Sequence, residues 1–264
     1  MTISDQYLST ADIAKQTGSF GAGIQLESFK AFADSFPLSG EGLYQNIFDR
    51  HADIVQTQKA KFAVANLEKI FSATFAESSV SGFDRMSLRD LSKTTGMSMG
   101  AIYSCISKKE DIALIVADIV RLSSELTHEQ AMSAGSPWEQ IEQSIRFHLY
   151  ASTLLQPWYF FLYFETCCLP EQQKLDSKKI ELDAIAGFEK QIKRGLASKD
   201  FQTNQVAMVA NIILVLLEDW YLKPWKNMAF SDKISRAECE QKIDDYHQSI
   251  TSVVRKLLSY QGPG

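Results

Sequence analysis

The sequence predicts an all-α protein, and three observations lead to that prediction. Apolar residues recur every three or four positions over most of the chain, which is the period of an amphipathic helix. From residue 109 onward there is no run of alternating apolar and polar residues of the kind that half-buried strands show. Helix-ending signals separate the periodic segments, among them Gly135-Ser136-Pro137, Pro157 and Pro170.

Residues 1–56 form an N-terminal extension that glycine and proline divide into pieces. We predict helices over residues 24–36 and 43–55, because Phe29, Phe32 and Phe36 repeat at helical spacing and need an apolar surface to cover them. Residues 7–18 resemble the first half of a helix-turn-helix such as those of MerR regulators, but the sequence after them is broken by glycines. The extension is therefore either a packing arm or a second helix-turn-helix.

Residues 87–112 predict two short helices, a tight turn between them and the start of a third helix. Ser87 is a good N-cap, and Gly96 can adopt the left-handed conformation that a sharp turn requires. Ser98 then caps a second helix over residues 99–105, which is about two turns long. This pattern is typical of a helix-turn-helix, whose second helix enters the major groove of DNA.

This segment resembles the DNA-binding domain of TetR-family transcriptional regulators, and residues 67–75 resemble the first helix of that domain. The matching positions are Leu88, Leu91, Gly96, Met97, Ser98, Gly100, Ile102, Tyr103, Ser107, Lys109, Glu110 and Ile112. The resemblance implies a three-helix DNA-binding domain (57–112) and a helical ligand-binding and dimerisation domain (113–264), which the helical extension (1–56) precedes. The chain departs from the family's pattern at Ile106, where an aromatic residue is usual, and in a longer connection between residues 75 and 88.

The second helix and its flanks supply the residues that we expect to contact DNA. The predicted set is Ser87, Arg89, Ser98, Met99, Gly100, Tyr103, Ser104, Lys108 and Lys109. Tyr103 and Lys109 should hold phosphates, while Met99, Gly100 and Ser104 approach base edges. Residues 59–109 carry eight basic and four acidic side chains, a net charge of +4 in a chain of net charge −5. We therefore expect double-stranded DNA, with a near-palindromic operator, as a partner.

We predict six further helices, over residues 109–132, 138–155, 158–169, 171–197, 205–225 and 236–259. The fifth is apolar around most of its circumference, and the last carries an apolar stripe. The resemblance implies that these two helices pair with their copies in a homodimer, and core helices of a monomer are the alternative. Residues 194–201 resemble the turn that precedes the dimerisation helices in many ligand domains of the family.

The densest aromatic run covers residues 158–164, and further aromatic residues lie on the helices expected around it. Since the family's ligand domains bind small molecules, we predict that a small, mainly apolar effector contacts Trp138, Phe147, His148, Trp158, Phe161, Phe164, Glu165 and Trp220. The same rings could instead be ordinary core. Glu165 could bind the ligand, or pair with His148 or Tyr159.

Residues 219–226 resemble a stretch found in a branch of the family associated with fatty acyl or acyl-CoA ligands. This resemblance implies an effector of that class. Alternatively, Lys223 and Lys226 belong to a solvated helix end.

Metal, catalytic and membrane functions find little support. The four histidines are scattered and the four cysteines form no Cys-x-x-Cys pair, so no metal site is expected. The sequence lacks a Gly-x-Ser-x-Gly motif and a phosphate-binding glycine loop, so we expect neither an enzyme nor a cofactor. No apolar run reaches the ~18 residues of a membrane span, and the start does not resemble a secretory signal. We therefore expect a cytoplasmic protein with reduced cysteines.

We interpret the sequence as that of a ligand-responsive, homodimeric transcriptional repressor. Its rival is an all-α ligand-binding or protein-interaction module of the same fold without sequence-specific DNA binding, which the departure at Ile106 and the acidic extension favour. A helical enzyme is the third hypothesis and requires an acid–base cluster that the sequence does not reveal.

Overall fold

The computed structural model describes residues 23–57, 59–133, 135–165, 171–227 and 234–260. These residues form helices and loops without any strand, so the predicted all-α class is confirmed. The helices are α1 Phe29–Ser35, α2 Gly40–Arg50, α3 Ala60–Ser81, α4 Leu88–Thr95, α5 Met99–Tyr103, α6 Lys109–Met132, α7 Pro137–Leu154, α8 Gln156–Glu165, α9 Glu171–Ala197, α10 Val206–Leu222, α11 Pro224–Asn227 and α12 Arg236–Leu257. The segment 7–18, Cys167 and Cys168 lie outside the described residues. Within the described part, no helix has both the length and the apolar composition that crossing a membrane requires.

Helix α3 is longer than the match over residues 67–75 indicated. Its buried positions already begin at Ala63, and the helix continues through a serine-rich end to Ser81. There the hydroxyls of Ser78, Ser79 and Ser81 donate hydrogen bonds to carbonyls about one turn earlier. The helix ends at Gly82, whose φ of 80° is favourable for glycine. The long connection before Ser87 is therefore largely an extension of the helix.

Other boundaries also differ from the predicted ones, among them the end of α5, which is Tyr103 and not residue 105. Helix α1 begins at Phe29, not at residue 24, because Ser28 accepts a hydrogen bond from a first-turn N–H and caps it. Helix α2 covers Gly40–Arg50 and ends five residues before the predicted position 55. Helix α10 ends at Leu222 because Pro224 lacks an N–H, and that proline starts the short helix α11.

The described chain packs into two compact units. The first contains the described residues of Pro37–Leu122 and Pro157–Lys178, and the second contains those of Gly21–Phe36, Ser123–Gln156 and Lys179–Gly264. The N-terminal extension is thus divided, because α2 belongs to the first unit and α1 to the second.

In the first unit, α3 packs against α2, α4 and α5. Leu67, Phe71, Leu91 and Ile102 are fully buried and form the centre of this group. Ser87 and Asp90 form a reciprocal capping box at the start of α4, and Gly96 ends that helix with a φ of 69°. Ser98 accepts a hydrogen bond from Ala101 N–H and caps α5. The predicted helix-turn-helix is therefore confirmed.

In the second unit, α7 packs against α1, α10 and α12. The ring of Phe32 in α1 contacts Phe147 in a T-shaped arrangement with centroids 5.1 Å apart, and it lies 5.3 Å from Tyr150. The N–H of Phe29 donates to Glu240 Oε1 of α12 at 2.8 Å. The apolar face that the phenylalanine repeat predicted is thus covered within this unit.

A tight turn after α9 explains the pattern at residues 194–201. The N–H groups of Asp200 and Phe201 both donate to the carbonyl of Gly195, at 2.9 and 3.1 Å. Lys199, directly before Asp200, adopts a left-handed φ of 67°. The buried ring of Phe201 lies directly over Gly195, where it occupies the space that any Cβ would need.

Replacing Gly195 by alanine should therefore destabilise the fold. Alanine favours a helix over glycine by about 1 kcal/mol, but overlap with the Phe201 ring should cost more, giving a net loss of roughly 1–3 kcal/mol in the free energy of unfolding. Gly187→Ala in the same helix is the matched control, because its Cβ would meet only His128 Nδ1 at 3.6 Å, an ordinary contact. Urea denaturation measures both, and equal stability of the two variants would contradict this account of the turn.

Candidate functional site

The outward face of α5 is the centre of the candidate site. The helix is held from below by the buried Ile102, while Ser98, Gly100 and Tyr103 are exposed to solvent. Tyr103 leaves 49% of its surface uncovered, although it is a large aromatic residue. Met99 is half-buried beside them. The helix therefore presents one aromatic side chain and a run of small groups, so its backbone can be approached closely.

Exposed cationic side chains accompany α5 in the first unit. Of the eight basic residues between positions 59 and 109, seven are exposed to solvent: Lys59, Lys61, Lys69, Arg85, Arg89, Lys93 and Lys108. The predicted residues Arg89 and Lys108 belong to this set. Ser87 is also exposed, but its hydroxyl donates to Asp90 Oδ2 at 2.6 Å as part of the cap of α4.

Lys109, the eighth basic residue, is engaged within the protein. Its ammonium group donates to the carbonyls of Phe83 and Asp84, at 3.1 and 2.8 Å, and it lies 5.0 Å from the centre of the Phe83 ring. The side chain is half-buried and ties the start of α6 to the loop between α3 and α4.

Ser104, predicted to approach a base edge, is the half-buried C-cap of α5. Its hydroxyl donates to Ala101 O at 2.8 Å and lies 3.0 Å from Thr57 Oγ1. Its carbonyl accepts hydrogen bonds from the N–H groups of Gln56 and Thr57. Sequence reasoning did not assign Gln56 and Thr57 to the site, since polar loop residues carry no signal of their own.

Helix α8 docks its aromatic side chains on the helix-turn-helix. The Trp158 ring stacks on Phe71 of α3 with centroids 4.7 Å apart, and Phe161 contacts the Phe83 ring edge-on at 5.0 Å. Glu165 Oε2 accepts the backbone N–H of Phe83 at 3.0 Å. Three of the predicted effector residues thus contact α3 and the loop between α3 and α4.

The remaining effector candidates occupy different surroundings. Phe164 is 49% exposed and packs on Phe160 of its own helix, in the first unit. In the second unit, Trp138 stacks on Tyr260 at 4.8 Å, and Phe147 contacts Phe32 and Phe36 edge-on. Trp220 is fully buried there, and its Nε1 donates to Thr153 Oγ1 at 3.0 Å.

Polar groups are buried inside the second unit around α7. Burial lowers the pKa of His148 to about 4, so its imidazole is neutral at physiological pH, and the ring lies 6.1 Å from that of Tyr221. One turn earlier, Ser144 Oγ accepts a hydrogen bond from Gln191 Nε2 at 2.8 Å. Gln191 Oε1 is buried, and within the described residues no donor reaches it. Such groups are costly in an apolar interior unless they have a binding partner.

An apolar surface lies on α10 and α12, the two helices predicted to mediate dimerisation. Met208 and Val215 are 55% and 53% exposed, and Val253 and Leu257 are 42% and 37% exposed. Their spacings of seven and four residues place each pair on one face of its helix. Beyond Val215, Lys223 and Lys226 both bind the carboxylate of Asp219 at 2.8 Å and remain half exposed.

Solved structures with the same architecture show which fold this is. They include a TetR-family regulatory protein from Rhodococcus RHA1, with 14% sequence identity and a TM-score of 0.62, covering 75% of this chain and 98% of that one. The MbdR regulator from Azoarcus sp. CIB gives 13% identity and a TM-score of 0.60, covering 75% and 100%. The regulator FadR from Bacillus subtilis, in complex with stearoyl-CoA, gives 13% identity and a TM-score of 0.55, covering 72% and 98%. The chain has the fold of TetR-family regulators.

The TetR-like fold leaves about a quarter of this chain without a counterpart in those structures. No protein-family model matches the sequence, and no curated protein matches it significantly. At identities of 13–14%, the likeness establishes the arrangement of the helices and not the chemistry of their side chains.

Helix α10 also carries a half-buried acid, Glu218, whose pKa is far from its usual value. Burial, and secondly the charge of Glu181, raise the pKa of Glu218 on α10 to about 7. Because the folded protein then holds this proton more tightly than the unfolded chain, where the pKa is 4.5, stability should fall as the pH rises from about 4.5 to about 7.

Glu218→Gln, which cannot ionise, should remove that loss. We expect it to be more stable than the wild type at pH 8 by roughly 1–3 kcal/mol and equally stable at pH 4. Glu181→Gln is the control, because it removes only the secondary cause and should give a smaller gain. Thermal unfolding at the two pH values measures both, and an equal gain at pH 4 and pH 8 would refute the titration of Glu218 as the cause.

Proposed function

We propose that the chain is a homodimeric, DNA-binding transcriptional repressor that a small, mainly apolar effector releases from its operator. The observation that carries the proposal is the exposed face of α5 in a unit where seven of the eight basic side chains between positions 59 and 109 are also exposed. Functionally, we propose an extension (1–56), a DNA-binding domain (57–112) and an effector and dimerisation domain (113–264).

In this proposal the N-terminal half of α5 enters the major groove. Met99, Gly100 and Ser98 approach the base edges, while Tyr103, Arg89 and Lys108 contact phosphates around them. Two copies in a dimer, about one helical turn (~34 Å) apart, would then bind the two halves of a near-palindromic operator.

Alanine variants of the neighbouring residues Lys108 and Lys109 distinguish a phosphate contact from an internal one, because Lys108 is exposed and Lys109 is engaged within the protein. The logarithm of the DNA association constant falls linearly with the logarithm of the salt concentration, and the slope reports the number of phosphate contacts. Lys108→Ala should make this slope about one unit less steep. Lys109→Ala should leave that slope unchanged and lower the stability by roughly 1 kcal/mol, because its ammonium group binds the Phe83 and Asp84 carbonyls. Fluorescence anisotropy at several salt concentrations measures the slopes. A reduced slope for Lys109→Ala alone would restore Lys109 as the phosphate contact.

The dimer in this proposal uses the apolar surface on α10 and α12, which is too exposed for a lone chain to leave uncovered without cost. Adjacent residues offer a matched pair, since Val253 is 42% exposed and Val254 is fully buried. Val253→Asp should yield a folded monomer, because it places a charge in the interface. Val254→Asp should instead lose several kcal/mol of stability, because its charge is buried in the core.

Light scattering and thermal unfolding measure these two outcomes. Ser252, also on α12 and exposed, provides the control Ser252→Asp, which should remain dimeric if it lies off the interface. A wild-type protein that is monomeric at micromolar concentration would eliminate the homodimer.

For the effector we propose a fatty acyl-CoA or a similar apolar molecule, bound inside the second unit near Trp138, Phe147, His148 and Trp220. The support is the group of buried polar side chains around α7, which could bind a polar end of a largely apolar ligand. The FadR structure contains stearoyl-CoA and has this fold. Trp158, Phe161 and Glu165 would transmit the signal, because they contact α3 and the Phe83 loop.

Stearoyl-CoA should therefore raise the thermal midpoint of the protein and weaken its binding to DNA. A ligand that binds only the folded state stabilises it by about 2.7 kcal/mol when the free ligand concentration is 100 times its Kd. Stearate and coenzyme A separately are the controls for the two parts of the molecule. Gln191→Leu, which removes the buried amide, should weaken the shift. No midpoint shift with any of the three compounds would exclude this effector class.

The rival function is a ligand-binding or protein-interaction module without specific DNA binding. It predicts that Arg89→Ala, Lys108→Ala and Tyr103→Ala leave every measurable binding activity unchanged.

A further inference from the structure

The segment that joins the N-terminal extension to α3 touches the DNA-reading helix directly. The N–H groups of Gln56 and Thr57 donate to the carbonyl of Ser104, the C-cap of α5, at 2.9 and 3.1 Å. The hydroxyl of Thr57 lies 3.0 Å from Ser104 Oγ. Since Ser104 Oγ gives its own hydrogen to Ala101 O, Thr57 is the donor of this bond. Two backbone N–H groups and the Thr57 hydroxyl, which also lies 3.2 Å from the Ser104 carbonyl oxygen, thus join the segment to one residue.

The other end of the segment is anchored in a buried charge cluster. Nε and Nη2 of Arg50 bind the two carboxylate oxygens of Asp118 on α6, each at 2.8 Å. Arg121 Nη2 donates to Asp118 Oδ1 at 2.7 Å, and His51 Nε2 lies 3.2 Å from Oδ2. Asp118 and His51 are fully buried, and Arg50 is nearly so. A bidentate arginine–carboxylate pair fixes both the position and the orientation of its partners.

Asp118 remains charged in this cluster. Burial alone would raise its pKa, but the contacts with His51 and Arg50 outweigh burial and hold the pKa well below its usual range. Between the two anchors, the N–H groups of Ile54 and Val55 donate to the His51 carbonyl, and both side chains are buried. The strap, as we call residues 50–57, is therefore fixed at both described ends.

Helix α5 depends on such outside support. It contains five residues, fewer than an isolated helix needs to be stable in water. Its N-terminus has the Ser98 cap, and its interior side has Ile102. Its C-terminal end is held by the strap, which also binds α6 through Asp118.

We propose that the strap is a positioning element for the DNA-reading helix, with Thr57 and Arg50 as its positioning residues. It fixes the C-terminal end of α5 relative to α6, so residues 50–56 of the extension belong, with Thr57, to the DNA-binding machinery. This inference rests on the proposed function, because positioning matters only if α5 reads DNA. Thr57 acts through Ser104 and does not itself touch the bases.

Thr57→Val tests the proposal, because it keeps the shape and the backbone hydrogen bonds and removes only the hydroxyl. Affinity for the selected operator should fall roughly three- to tenfold, as expected for one lost hydrogen bond. Affinity for random-sequence DNA and its salt dependence should stay the same, because the phosphate contacts remain. Thr57→Ser retains the hydroxyl and should restore the wild-type operator affinity.

Thr127→Val is the matched control, since its hydroxyl also makes a local hydrogen bond, to the Ser123 carbonyl of α6, far along the chain from α5. It should not change the ratio of operator to random-DNA affinity. The same unchanged ratio in Thr57→Val would overturn the proposal. So would a Thr57→Ser variant as defective as Thr57→Val.

Amide hydrogen exchange separates this proposal from the proposed function. In the DNA-free protein, Thr57→Val should speed the exchange of the amides of Ser104, Cys105 and Ile106 several-fold more than Thr127→Val does. Faster exchange in Thr57→Val, combined with a wild-type protein that binds no specific DNA, would preserve the strap and refute the proposed function. Unchanged exchange would refute the strap even where operator binding is present.

Discussion

A helix of five residues such as α5 cannot keep its conformation in water by itself, and this constraint organises the first unit. Nucleating a helix fixes several residues for each hydrogen bond gained, so the missing stability must come from tertiary contacts. Ser98 supplies a cap, Ile102 supplies burial, and Thr57 binds the C-terminal residue Ser104. Gly100 and Tyr103 remain exposed, because Ile102 is buried on the interior side of the helix and Thr57 contacts its C-terminal end.

The same constraint explains the position of α8. The loop between α3 and α4 carries two charged attachments, since Glu165 accepts the N–H of Phe83 and Lys109 donates to the carbonyls of Phe83 and Asp84. Trp158 and Phe161 pack the neighbouring rings of Phe71 and Phe83. A displacement of α8 would therefore act on the helix-turn-helix at a polar and an aromatic contact together. These contacts couple α8 directly to α3 and to the loop before α4.

The helix-turn-helix was predictable because its signals are local. Caps at Ser87 and Ser98 and the left-handed Gly96 depend on one turn of chain, and the structure has all three. The close approach of Gly195 and Phe201 gave the turn at residues 194–201 a recognisable pattern as well. The end of α3 was missed because serine-rich sequence is typical of loops, although serine hydroxyls can bond within a helix.

The surroundings of individual side chains were less predictable for a general reason. An aromatic residue has the same spacing whether it lines a pocket or packs on another helix, so the run at residues 158–164 did not distinguish the two. Trp158 and Phe161 pack on the helix-turn-helix, and Lys109 binds carbonyls 25 and 26 residues earlier in the chain. Gln56 and Thr57 gain their importance only from Ser104, which lies far from them in sequence. Long-range partners of this kind leave no periodic signal.

The central claim is that this chain reads a DNA sequence with α5, and selection of genomic fragments by the purified protein tests it most directly. The account predicts that the retained fragments share a near-palindromic motif whose half-site centres lie about one helical turn apart, ~10 base pairs. It also predicts that Gly100→Glu, which places a charge on the face that approaches the base edges, loses that enrichment with the fold intact by thermal unfolding, because a Cβ at Gly100 meets only Ser98 Oγ at 4.0 Å. Retained fragments without a common motif, or the same fragments retained by Gly100→Glu, would contradict the claim.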